Sequence, residues 1–298
     1  AEERARYAGL VAAQGELTAG LRVALQAMLI SPHFLYRREI GDETGTLSGD
    51  EVASALAYTL WGTMPDAALF AAADAGALGD VAGVEAEVRR MLADPRAYAA
   101  IGAFAVQWLG VEPILTADKS AALFPDVDAA LRRSMLEETR RFVSHVMLAS
   151  GKPGELFAAD YSFVDDPELA ALYGVGGADE SGKVPLPADR SGLLGHASVL
   201  ATYAHSDQSS PIRRGLFVRR SLLCQELGVP PPNAGGVPEV DPNATTRERF
   251  RQHSADDFCR ACHQYIDELG FGFERFDALG QYREQENGLP IEPDGDMN

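Results

Sequence analysis

Cysteine is scarce: the 298 residues hold three, Cys224, Cys259 and Cys262. Three thiols cannot build a disulfide framework, and the odd number leaves Cys224 as an expected free thiol. Basic residues are short as well. Twenty-six Lys and Arg face 44 Asp and Glu, a net charge of −18. That balance argues against nucleic acid and against anionic membrane surfaces as partners. Long apolar runs are missing. The best, from Leu21 to Ile30, is too short for a membrane span and contains Arg22 and Gln26. No signal peptide and no initiator Met open the chain, which begins at Ala1 inside a helical pattern and reads as a processed chain or a fragment. There is no G-x-S-x-G, no P-loop, no H-E-x-x-H and no Rossmann fingerprint, so nothing points to a hydrolase.

What is present is ordinary globular material, with 46% hydrophobic and 23% charged residues, enough for one large or two ordinary domains. Helix signals follow one another. Leu21, Leu25, Met28 and Leu29 share one face, and Ser31-Pro32 ends that helix. Ser48 to Glu51 is a capping box for a helix reaching Trp61 and stopping at Gly62. Asp66, Asp94-Pro95, Asp126 or Asp128, Asp166-Pro167 and Ser210-Pro211 mark further helix starts. Thr245 to Glu248 is a second capping box, predicting a helix that runs into the cysteine pair. Only 160–164 and 183–186 suggest short extended pieces. The fold class is therefore mainly α: a helical bundle over 1–175, a loose Gly/Pro/Asp/Ser-rich boundary at 176–190, and a helical subdomain over 176–298 with a stiff Pro-rich link from Pro230 to Asn243.

The most specific chemistry is Cys259-Arg260-Ala261-Cys262-His263. C-x-x-C-H is the attachment pattern of a c-type haem. Two intervening residues let one turn present both sulfurs along the porphyrin edge for thioether bonds, and the adjacent His263 supplies the proximal iron ligand. Two other readings stay open for the same residues. One is a disulfide or redox pair, though no βαβ setting surrounds it. The other is a zinc site completed by Cys224 and His253. Downstream lie large apolar groups, among them Phe271, Phe273 and Phe276, which would wall a haem away from water. For the distal side, Met297 is the lone Met after the motif, and His205, in a polar Ser/Asp/Gln loop, is the preferred histidine among His33, His145, His196, His205 and His253; a five-coordinate iron is equally consistent. Arg213 and Arg214 head a basic helix suited to forked pairing with haem propionates, although a solvated face explains them too.

Several blocks carry a resemblance. They are Ser31 to Arg37, Leu60 to Asp66, Gln107 to Leu109, Asp160 to Val164, Gly192 to Ser198, Ser209 to Gly215 and Cys259 to Phe271, continuing through Phe273 to Asp277 and Gly280 to Arg283. Together they resemble the planctomycete-type cytochrome c-like proteins, large exported bacterial chains of serial domains of unknown function, over about Leu21 to Arg283. The resemblance implies a largely helical fold, export, haem c at Cys259, Cys262 and His263, and further N-terminal domains. It supplies no reaction. The expected function is electron transfer through one covalent haem c in the periplasm or outside the cell, where such haem is attached, with a basic or neutral protein as redox partner and no transmembrane segment. The alternatives are a haem enzyme of peroxidase or oxidase type with an open distal site, and a structural module with zinc or a disulfide at the same cysteines.

Overall fold

The computed structural model describes residues 2–228, 238–253 and 257–295, with backbone alone at 252, 253, 257–259 and 261. The expected Pro-rich link at 230–232, the His253 side chain and Met297 lie outside the described residues. The chain is mainly helical and divides into two compact units, 1–97 and 98–298.

The first unit holds α1 (Glu2–Ala12), α2 (Leu17–Leu29), α3 (Pro32–Leu35), α4 (Gly49–Trp61), α5 (Ala67–Asp74), α6 (Val81–Leu92) and the first turn of α7 (Pro95–Leu109). The Ser48 capping box forms with both arms, and Gly62 closes α4 in the left-handed conformation. Asp66 caps α5 at Leu69 N and also accepts from the guanidinium groups of Arg90 and Arg96. Arg96 lies 3.4 Å over the Trp61 ring, whose Nε1 donates to the Met91 carbonyl at 2.9 Å. The block Leu60 to Asp66 is thus the hub joining α4, α5 and α6, combining a charge-assisted fork with a cation–π contact. One sequence expectation is corrected. The apolar face of α2, carrying Leu21, Leu25, Met28 and Leu29, is exposed; α2 instead buries its small residues, Gly20 and Ala24, with Gly20 set against the Val11 backbone.

In the second unit follow α8 (Ala129–His145), α9 (Glu155–Ala158), β1 (Tyr161–Ser162), α10 (Pro167–Tyr173), β2 (Val184–Pro185), α11 (Ala197–Thr202), α12 (Pro211–Phe217), α13 (Thr246–His253), α14 (Asp257–Phe271), β3 (Gln285–Glu286) and β4 (Leu289–Pro290). Asp128, Asp166 and Ser210 cap their helices as the sequence suggests, and Thr245 and Glu248 form the second capping box. The two extended pieces do pair, Tyr161 opposite Pro185 and Ser162 opposite Val184. The expected helix is present on both sides of 254–256, as α13 and as α14, which carries the motif; 254–256 themselves lie outside the described residues. One core joins Val106, Met135, Phe142, Leu169, Leu193, Val199, Phe217 and Leu279, so it draws on residues to both sides of the loose segment 176–190.

Inside that core sits a polar cluster. Glu138 accepts from Ser162 Oγ (2.7 Å) and Tyr173 Oη (2.6 Å), and Tyr173 Oη accepts from Ala197 N. His196 Nδ1 meets Thr139 Oγ1 at 3.0 Å, and Thr139 meets Ser198 at 2.6 Å. All six side chains are buried, which is tolerable because each finds a partner. Two of the blocks noted above, 160–164 and 192–198, converge here.

Burial holds the His196 imidazole below its ordinary value near 6.5. The folded chain keeps it neutral, while the unfolded chain takes up a proton as pH falls past 6.5, so acidification favours unfolding. Urea midpoints should drop between pH 7.5 and 5, and His196→Gln should flatten that drop. His145 and His205, also lowered by burial, add slope of the same sign, and His263, raised by Asp267, opposes it. An equally steep drop in the variant would show that His196 is not its source.

Candidate functional site

The motif occupies the first two turns of α14. Positions 259, 262 and 263 are three and four apart, so they fall on one face of the helix. Two turns further along, the same helix is fixed to α12 by backbone contact. A Cβ on Gly270 would overlap the Pro211 carbonyl, and one on Gly215 would overlap that of Ile266. Only glycine allows the two helices to approach this closely. Arg219 adds a bond from its Nε to the Tyr265 carbonyl at 2.6 Å.

On the motif face, Cys262 is exposed and is not in a disulfide. His263 is half-buried. Its Nδ1 lies 2.9 and 3.0 Å from the two oxygens of Asp267, which is only 5% exposed. This carboxylate raises the imidazole above its ordinary value against the opposing effect of burial. With the ring neutral, the same contact puts the proton on Nδ1 and the lone pair on Nε2. Among the described residues no group of three or more His, Cys, Asp or Glu is placed to hold a metal ion. Cys224 is also exposed and free, with a left-handed backbone.

The other expected site residues have different surroundings. Phe271 is buried under the Arg247 guanidinium, 4.6 Å from its ring. Phe276 is buried edge-on against Tyr282, and Phe273 is half-buried against the core. Arg214 is 2% exposed, and its two terminal nitrogens donate to four carbonyls, those of Phe273, Phe276, Leu200 and Asp277. The expectation that it offers a fork to a propionate is corrected, because its fork is already spent on the chain that follows α14 and on Leu200 of α11. Arg213 is exposed and gives one nitrogen to the Ala204 carbonyl at 2.6 Å. Arg213 and His205 come together around a cavity of about 550 Å³ that Cys262 and His263 do not line. In the first unit a cleft of about 1030 Å³ is lined by parts of two blocks, including Phe34, Tyr36 and Met64.

Sequence reasoning missed Asp267, Lys119 and the cluster around His196. For Asp267 a signal existed: four residues beyond His263 on a helix is the spacing at which side chains meet. The other two are assembled from segments distant in sequence and left no local trace.

Three family models match in series. Residues 1–39 match PSD5, protein of unknown function (DUF1595); 47–175 match PSD4, protein of unknown function (DUF1592); 190–286 match PSCyt3, protein of unknown function (DUF1588). The chain belongs to the planctomycete-type cytochrome c-like family. In this cytochrome c-like chain the PSCyt3 stretch contains Cys259 to His263 together with α12 and Asp267. Its PSD4 stretch ends, and its PSCyt3 stretch begins, on either side of the loose segment 176–190. No curated protein and no solved structure matches the chain.

Gly270→Ala should force α14 off α12. The expected cost is about 3 kcal/mol, the upper range for overpacking a tight contact. Hydrogen exchange should report it as lost amide protection across α14, with protection in α4 and α6 unchanged. Normal protection throughout α14 would show that the helices have room to part.

Proposed function

We propose that this chain carries one haem c and transfers electrons outside the cytoplasm, with Cys259 and Cys262 as thioether anchors and His263 as the proximal iron ligand. The observation that carries the reading is the clamp on His263: Asp267 holds Nδ1 with both carboxylate oxygens, on the same helix as the cysteine pair. Metal-ligating histidines characteristically give their other ring nitrogen to such a carboxylate, which fixes tautomer and ring orientation. The donor set therefore fits the group. Bound haem c supplies a one-electron iron couple.

The protein's own contribution is to hold that ring still. Gly215 and Gly270 fix the helix, Asp267 fixes the imidazole, and the exposed Cys262 thiol is open to the attachment reaction. A net charge of −18 suits long-range steering of a basic redox partner, a steering that salt weakens; a neutral partner would dock without it. Attachment of haem c outside the cytoplasm places the chain in the periplasm or beyond. No helix among the described residues is long and apolar enough to cross a membrane.

Protein made in an exporting host that assembles c-type cytochromes should gain the mass of one haem, surviving denaturation, and show sharp reduced α and β bands. Cys262→Ser should weaken that attachment. Asp267→Asn should keep the mass while raising the reduction potential, because a less electron-rich imidazole favours the oxidised iron less. Absence of both the mass increment and a Soret band in the parent protein would overturn the reading.

A further inference from the structure

The cavity between 113–119 and 202–213 is lined by neither Cys262 nor His263, and its electrostatics are unusual for this chain. We propose that it is a binding site for a small oxyanion, the phosphate, sulfate or carboxylate group of a solute. The inference stands apart from the haem reading.

Lys119 forms part of the wall and is 8% exposed. Its Nζ donates to three carbonyls, those of Ala201 and His205 at 2.9 Å and of Ala278 at 2.8 Å. The ammonium is thereby fixed and cannot swing out to meet a counter-ion. Arg132 is held in the same way by the Ile114 and Ala117 carbonyls, Arg214 by four carbonyls and Arg213 by that of Ala204. None of these four cations forms an ion pair with a carboxylate among the described residues. In a chain with 44 acidic and 26 basic residues, cations ordinarily find carboxylates. Here carbonyl dipoles hold four positive groups in place without cancelling their charge, and Lys119 and Arg213 bring that charge to the cavity wall.

The groups facing Lys119 show the result. Burial and the charges of Arg214, Arg132 and Arg213 push its ammonium down to about 8, with Asp277 the one carboxylate pulling the other way. Asp277 is itself engaged by the Leu279 and Gln281 amides. Asp118 and Asp207 also line the cavity, but both are exposed, so water screens them. Arg213, His205, Thr116 and Ser206 supply polar groups to meet an anion directly, while Lys119 supplies fixed charge behind them. A volume of about 550 Å³ suits a small solute.

Calorimetric titration of the full chain with inorganic phosphate, at pH 8 and low ionic strength, tests the site. The expected result is saturable binding of one phosphate per chain. Proton uptake should accompany it, read from the dependence of the heat on buffer, because a bound anion restores the Lys119 proton. Arg213→Gln, at an exposed position, should weaken binding at least tenfold. Lys119→Gln should weaken it and abolish the uptake, whereas Arg89→Gln on α6 should change nothing. Sulfate and succinate titrations then assign the source: phosphate and sulfate ahead of succinate mark an inorganic or ester anion, and succinate ahead marks a carboxylate. Either order supports the site. Failure of all three anions to saturate, or undiminished binding in Arg213→Gln, overturns it. Neither result bears on haem attachment.

Discussion

The close approach of α12 and α14 is the constraint on which the rest of the second unit depends. Two glycines, one on each helix, let backbone meet backbone, and every other contact of the motif helix is set by that approach. Ile266, Asp267 and Phe271 are buried, while near the start of the same helix His263 is half-buried beside Asp267 and Cys262 stays exposed. Within the helix thus placed, buried Asp267 sits one turn beyond His263 and orients its imidazole.

A second theme is how an acidic chain places its few cations. Several of the most buried basic groups do not pair with carboxylates but pin backbone. Arg214 secures the turn after α14, Lys119 joins three separate segments, and Arg190 reaches the Gly195 and Gly280 carbonyls. A carbonyl dipole stabilises a buried cation while leaving its net charge uncancelled, unlike a carboxylate. The same design that stiffens the irregular segments therefore builds positive potential where those segments meet.

The recurring blocks acquire distinct physical meanings. Leu60 to Asp66 is a cation–π and guanidinium hub, while Asp160 to Val164 and Gly192 to Ser198 supply Ser162, His196 and Ser198 to one buried polar cluster. Ser209 to Gly215 brings a partner for buried Glu274, a helix cap, the Arg214 pin and the glycine contact. Each of these blocks thus contributes contacts that hold the fold together in this chain, while the proposed cofactor donors, Cys259, Cys262 and His263, lie in α14.

Helix starts and stops were legible because caps are local: Ser48 with Glu51, Asp166 with Pro167 and Thr245 with Glu248 act within one turn. The C-x-x-C-H pattern was legible for the same reason, as were the two short extended pieces, although their pairing with each other was not. The direction in which a helix buries itself was not. The apolar stripe of α2 lies outward while glycine and alanine lie inward, because close packing onto α1 decided the face rather than hydrophobicity. Arg213 and Arg214 are adjacent in sequence and look interchangeable, yet one faces a cavity and the other is sealed among carbonyls. The sequence by itself determined a mainly helical chain with thiols and an imidazole in attachment spacing. Tertiary structure alone decided what clamps that imidazole's helix and where the unpaired positive charge gathers, because both depend on contacts between residues far apart in the chain.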